Sequence, residues 1–212
     1  MKKAISNYNV SKARFEEMPF DGEWLASFGC PAPAGCWLIY GGSGSGKTTF
    51  GLQAAKYLSR FGRVAYNSLE QGWGKSLQGA WEREGMIECG KNVELEDRLD
   101  FADMNIKLLK RNARKIWIID SLNYWDGQCR IEDIKRMLEK HADKLFVFIA
   151  HESGTRPKGS IAQRLYYHAD VKARARGYRL TEINSRFSDV RGGGADFTIW
   201  QEGADNYWIE KL

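Results

Sequence analysis

The chain has 212 residues, with 32 Lys plus Arg against 27 Asp plus Glu and a net charge of +5. That length suits one domain, and 43% hydrophobic with 28% charged residues excludes a disordered or fibrous chain. No stretch reaches the roughly 18–20 apolar residues of a membrane span, and the basic start MKKAISNYNVSKARFEE lacks the apolar run of a signal peptide. A cytoplasmic protein with no membrane partner is expected.

Residues 1–35 show no strong periodicity and read as an N-terminal extension, with 36–212 as the main domain. Cys36 to Tyr40 forms a short apolar run, the pattern of a buried strand. The glycine run Gly41–Gly46 follows, then a helical pattern over 48–60, with Gly62 placed to end it. Val64 to Leu69 reads as a strand with Glu70 at its end, and 74–85 as a helix closed by Gly85. Residues 86–97 are polar and read as a connection, 99–102 as a short strand and 106–113 as a helix. Ile116 to Asp120 is a buried strand ending in an acid, 131–141 a helix, and Leu145 to Ala150 the most apolar strand, ending at His151. Alternating strands and helices, with strands that are continuous apolar runs, predict a doubly wound α/β fold on a parallel sheet. Beyond 160, short strand-like pieces (170–175, 179–184, 197–201, 207–210) separated by turn residues predict an antiparallel extension. Cys30, Cys36, Cys89 and Cys129 form no CxxC pair. They read as free thiols in a chain able to bury a core, without a zinc site.

The excess charge is local. Between His151 and Arg191 there are nine basic residues against four acidic ones, which accounts for the whole net charge. Such a surface attracts phosphate backbones.

Gly41-Gly42-Ser43-Gly44-Ser45-Gly46-Lys47-Thr48 fits G-x-x-x-x-G-K-[ST], between a predicted strand and a predicted helix, with Thr49 next in line. Glycines let the backbone wrap an anion, and their N–H groups and the helix N-terminus point at phosphates. Lys47 adds charge at the β- and γ-phosphates and Thr48 a hydroxyl for Mg²⁺. Asp120, at the end of a neighbouring strand, is the candidate second carboxylate for that ion. Glu70, on the same edge of the sheet, is the candidate base for an attacking water.

Together Lys47/Thr48, Glu70, Asp120 and His151 resemble the RecA-like ATPase core, in the stretches YGGSGSGKTTF, VAYNSLEQG, IWIIDSLN and LFVFIAHESG. That superfamily includes the RecA/RadA recombinases, DnaB-type helicase motors and KaiC-type clock ATPases, and the likeness is greatest to small phage- or mobile-element-type members. It implies ATP and Mg²⁺ as ligands, hydrolysis with Glu70 as base, and His151 as the γ-phosphate sensor. It further implies a homo-oligomer, ring or filament, acting on DNA in recombination, repair or replication. The implied DNA loops are 121–130, with Tyr124 and Trp125, and 152–160, with Arg156 and Lys158. The aromatics have a second reading, as packing within the fold or on a neighbour. Arg186 matches the family's arginine finger on a neighbour's ATP, although Asn184 stands where the family has a lysine. Two other classes compete: a KaiC-like regulatory ATPase acting on proteins, and a small-molecule P-loop kinase, against which Glu70 at a strand end speaks.

Overall fold

The computed structural model describes residues 4–188 and 193–209. Strands and helices alternate from β1 (Gly35–Gly41) through α3 (Lys47–Leu58), β2 (Val64–Ser68), α4 (Lys75–Arg83), β3 (Val93–Asp97), α5 (Phe101–Leu108), β4 (Ile116–Asp120) and α6 (Ile131–Lys140) to β5 (Leu145–Ser153). A two-residue strand β6 (Arg156–Pro157), α7 (Ser160–His168), β7 (Val171–Arg176), β8 (Arg179–Ser185), β9 (Phe197–Thr198) and α8 (Gln201–Ile209) follow. Two short helices, α1 (Asn7–Lys12) and α2 (Gly22–Phe28), precede β1. The sheet order is β3-β2-β4-β5-β1-β7-β8-β9. It is parallel from β3 to β7 and antiparallel from β7 to β9, while β6 folds back on β5.

The continuous apolar strands are explained by two cores, one on each face. Trp37, Ile39, Tyr66, Ile118, Val147 and Ile149 pack on one side with Phe50 and Leu52 of α3. Leu38, Tyr40, Trp117, Ile119, Phe146 and Phe148 pack on the other with Ile134 of α6 and Leu165 of α7. Adjacent residues of a strand point to opposite faces, so a strand buried on both must be apolar at every position.

The stretch before β1 divides at Met18. Phe20, Trp24 and Phe28 join the first core, with Trp24 stacked on Tyr57 at 4.3 Å and Phe28 on Trp37 at 5.4 Å. Helix α1 buries no residue, and Phe15 is exposed. The four cysteines are free, Cys36 and Cys89 buried and Cys30 and Cys129 half-buried.

Several sequence expectations are corrected. Helix α3 ends at Leu58 with a right-handed cap at Ser59, so Gly62 does not cap it. The 86–97 stretch is a 3-10 helix (Met86–Asn92) followed by the edge strand β3; no strand forms at 99–102, where Asp100 caps α5, and that helix runs Phe101–Leu108 and not 106–113. Residues 160–168 form a helix that periodicity did not reveal. Residues 207–209 belong to α8 and not to a strand; Glu210 lies outside the described residues, as do Asp189 and Arg191 of the basic segment.

Candidate nucleotide-binding site

Parallel register brings the motif residues to one edge. Gly41 pairs with His151 across β1 and β5, Ser68 with Asp120 across β2 and β4, and Asp120 with Ile149 across β4 and β5. The carboxyl ends of the strands thus converge where the phosphate loop leaves β1, the usual ligand edge of an open α/β sheet.

The loop is shaped by its glycines. A Cβ on Gly41 would stand 2.3 Å from the Ala175 carbonyl oxygen, and Gly46 has φ of +94° with Ile199 against it. Gly46 is then the N-cap of α3, whose N-terminus faces the loop. Ser45 donates to the Gly42 carbonyl at 2.8 Å, and the Lys47 ammonium donates to the same oxygen at 2.5 Å. Lys47 is buried, and desolvation lowers its pKa against the opposing pull of Asp120, Glu70 and Glu152.

Asp120 lies beneath the loop, buried. Its Oδ2 accepts from the Thr48 hydroxyl at 2.9 Å and from the Tyr66 hydroxyl at 2.7 Å. Burial raises its pKa, opposed by those two bonds. Its Oδ1 is buried with no hydrogen-bond partner among the described residues. A threonine hydroxyl beside a carboxylate with one uncommitted oxygen suits Mg²⁺, which takes few protein oxygens and keeps several waters.

Glu70 follows β2, and its backbone N–H donates to the Asp120 carbonyl at 3.2 Å, as does that of Leu69 at 2.6 Å. The Glu70 Oε2 lies 3.2 Å from His151 Nε2. Both side chains line a cleft of about 340 Å³ together with Ser43, Gly44, Lys47 and Thr48. Thr49, Gly46, Ser76, Arg83 and Tyr178 are also on its walls.

The structure therefore gathers Gly41 to Thr49, Glu70, Asp120 and His151 at one place. Arg186 stands elsewhere, after β8 at the opposite end of the sheet, where Ser185 pairs with Val171 and Arg186 contacts Asp170 at 3.3 Å. Arg156 and Lys158 are exposed in and after the β5–β6 hairpin, and Tyr124 is exposed too. Trp125 is a correction: it is fully buried, edge-on to Phe101 at 5.4 Å and to Phe148 at 6.4 Å, so it packs within the fold and offers no face to a base.

Sequence reasoning missed Tyr66, Ser76, Arg83 and Tyr178. Tyr66 reads as one more apolar strand residue. Tyr178 sits at the β7–β8 turn with φ of +58°, and only the sheet's return path carries it to the cleft.

No family model matches the chain, and no curated protein matches its sequence. Solved structures do match. The flagellar accessory protein FlaH from Methanocaldococcus jannaschii has a TM-score of 0.54 at 10% identity, over 76% of this chain and 80% of that one. A second solved structure, an ATPase domain, has a TM-score of 0.48 at 20% identity, over 67% of this chain and 69% of that one. The fold is that of the RecA-like P-loop core. Among the described residues no helix is long and apolar enough to cross a membrane.

Proposed function

We propose that the chain binds and hydrolyses ATP as a RecA-like motor, assembles as a homo-oligomer, and acts on DNA in recombination, repair or replication. One observation carries the hydrolytic part: the Glu70–His151 pair, 3.2 Å apart, lines the same cleft as Lys47 and Thr48. The loop amides and the α3 N-terminus hold the β-phosphate, and Lys47 leaves the Gly42 carbonyl to neutralise charge on the β- and γ-phosphates. Glu70 orients a water and takes its proton as the water oxygen bonds to the γ-phosphorus and the bridging oxygen leaves with ADP. His151, 3.2 Å from Glu70, reports whether the γ-phosphate is present. Thr48 and Asp120 would hold Mg²⁺, which would supply charge neutralisation at the phosphate oxygens.

The DNA part is supported by the basic excess of the 151–191 stretch and by the exposed Arg156, Lys158 and Tyr124. Lys47→Ala is expected to lose ATP binding. Glu70→Gln is expected to keep binding and lose turnover by about 10²-fold or more, measured by phosphate release. Full turnover by Glu70→Gln removes that residue from the base role. ATP hydrolysis indifferent to single- and double-stranded DNA, with no DNA shift at low salt, removes DNA.

A second reading, a regulatory ATPase acting on protein partners, is favoured by the exposed Ile5, Tyr8, Val10 and Phe15 at the N-terminus. ATP-dependent oligomers without DNA affinity would select it.

A further inference from the structure

A second cleft, of about 380 Å³, opens beside the β5–β6 hairpin and shares no lining residue with the nucleotide cleft. That volume is within the range of about 300–1,000 Å³ typical of small-ligand sites. Its walls are the hairpin, through Thr155 and Arg156, and helix α7, through Gln163, Tyr166 and Tyr167. Tyr40 of β1, which is buried, and Glu182 of β8 also line it.

The rings are arranged in series. Tyr40 meets Tyr166 edge-on at 5.8 Å, and Tyr166 meets Tyr167 edge-on at 5.6 Å. Lys172 lies 4.6 Å from the centre of the Tyr166 ring. Tyr167 is 69% exposed, although α7 has a buried face of Ile161, Ala162 and Leu165 to which an aromatic could belong. Arg156 donates to the Tyr167 hydroxyl at 3.4 Å, which sets guanidinium and ring side by side at the rim.

The charges on the elements around the cleft are unequal. Glu182 and Glu152 are both held by Arg174, at 3.3 Å and 2.8 Å. Arg164 is paired with Glu132 at 3.2 Å. Arg156 and Lys158 have no carboxylate partner among the described residues, and both are exposed. The hairpin that carries them is not loose: Lys158 N–H donates to the His151 carbonyl at 2.8 Å, and the Asn123 side chain donates to the Lys158 carbonyl at 2.7 Å.

We infer that this cleft receives an unstacked base of a single-stranded nucleic acid, on the Tyr167 ring, with the adjoining phosphates on Arg156 and Lys158. The inference rests on the DNA reading above and narrows it. An exposed aromatic face beside cations that have no carboxylate partner, on a fixed backbone, is the combination that binds single strands: the ring stacks on any base and the cations follow the phosphates. A base within a duplex keeps both faces in the stack and cannot enter a recess. An apolar peptide would gain nothing from Arg156 and Lys158.

The test uses the full chain with a non-hydrolysable ATP analogue, a fluorescein-labelled 20-mer single strand of mixed sequence, and the corresponding duplex. Fluorescence anisotropy should show the single strand bound more tightly than the duplex. Tyr167→Ala should weaken the single strand about ten-fold, Tyr167→Trp should restore it, and duplex binding should move far less. Unfolding midpoints equal to wild type show that the variants are folded. An oligonucleotide carrying 5-iodouracil should crosslink on irradiation to Tyr166 or Tyr167, as read by peptide mass spectrometry. If the single strand binds but Tyr167→Ala matches wild type, or the crosslink falls outside the cleft, the inference is overturned and the DNA reading stands. Equal affinity for strand and duplex also overturns it. If no oligonucleotide binds, both fall together, and the regulatory reading takes their place.

Discussion

Burial raises the pKa of Asp120, although Tyr66 and Thr48 both donate hydroxyls to its Oδ2. A carboxyl whose folded pKa lies above its unfolded value favours the fold most while protonated. Its contribution is fully present below the unfolded pKa, and it is lost as pH rises through the folded one. Tyr66 opposes that loss because its bond to the ionised form is the stronger one. Tyr66→Phe should therefore cost more at a high pH, where Asp120 is ionised (about 1.5–3 kcal/mol), than at a low one, where it is protonated (about 1 kcal/mol), without Mg²⁺ or nucleotide. Urea unfolding of both proteins at the two pH values measures this. A loss independent of pH would mean that the tyrosine acts by packing and not through Asp120.

At the scale of elements, the candidate site was more legible than the fold's edges. Gly41 to Thr48, Glu70, Asp120 and His151 each sit at or just beyond the end of an apolar strand, and strand ends are what apolar runs mark best. What failed was local pattern overridden by context. Strand β3 lies at the sheet edge, so Val93 is buried while Glu94, Glu96 and Asp97 can remain polar. The apolar Leu99 and Phe101 then suggested a strand, yet Asp100 caps α5, its side chain accepting from Asp103 N–H at 2.7 Å. In α8, Tyr207 and Trp208 favour strands by propensity. The helix stands because Gln201 bonds Asp205 one turn on, at 2.8 Å, and the Trp208 indole donates to the Gly177 carbonyl at 3.2 Å. The attachment of α2 can be tested the same way. Asp21, just before it, takes both Arg60 nitrogens, at 3.1 Å and 2.8 Å, and the Tyr57 hydroxyl at 2.9 Å, and Arg60 leads in lowering its pKa to about 2. A depressed carboxylate stabilises above its unfolded pKa, and that contribution is lost as pH falls through the folded value. Asp21→Asn should lower the unfolding midpoint at pH 7 by about 2 °C or less, because the pair is exposed. The difference should shrink as the pH is brought below 4 toward 2. A gap that stays constant down to pH 2 would remove the ion pair as its cause.

At the scale of the whole molecule, Arg186 and the phosphate loop lie at opposite ends of the sheet. Ser185 is level with Val171, which pairs with Trp37, whereas the loop leaves β1 at Gly41. At about 3.3 Å per residue, those four steps along β1 put roughly 13 Å between the two levels. Arg186 cannot serve its own chain's nucleotide from there, and in its own chain it contacts Asp170. If it acts at all, it acts on the cleft of a neighbour, through a head-to-tail interface of the kind that makes rings and filaments. Mixing two defective proteins decides this. Glu70→Gln retains Arg186 but lacks the base, and Arg186→Ala retains the base but lacks the arginine. Each alone should be inactive in phosphate release. Co-assembled at equal amounts, about a quarter of the interfaces would pair an intact Glu70 with an intact Arg186 from the next subunit. Activity should then rise toward that fraction of wild type, and light scattering should show ATP-dependent oligomers. Should Arg186→Ala alone hydrolyse ATP at the wild-type rate, the arginine has no part in turnover. If both variants are inactive and the mixture stays so although it co-assembles, Arg186 does not act on a neighbour's phosphate.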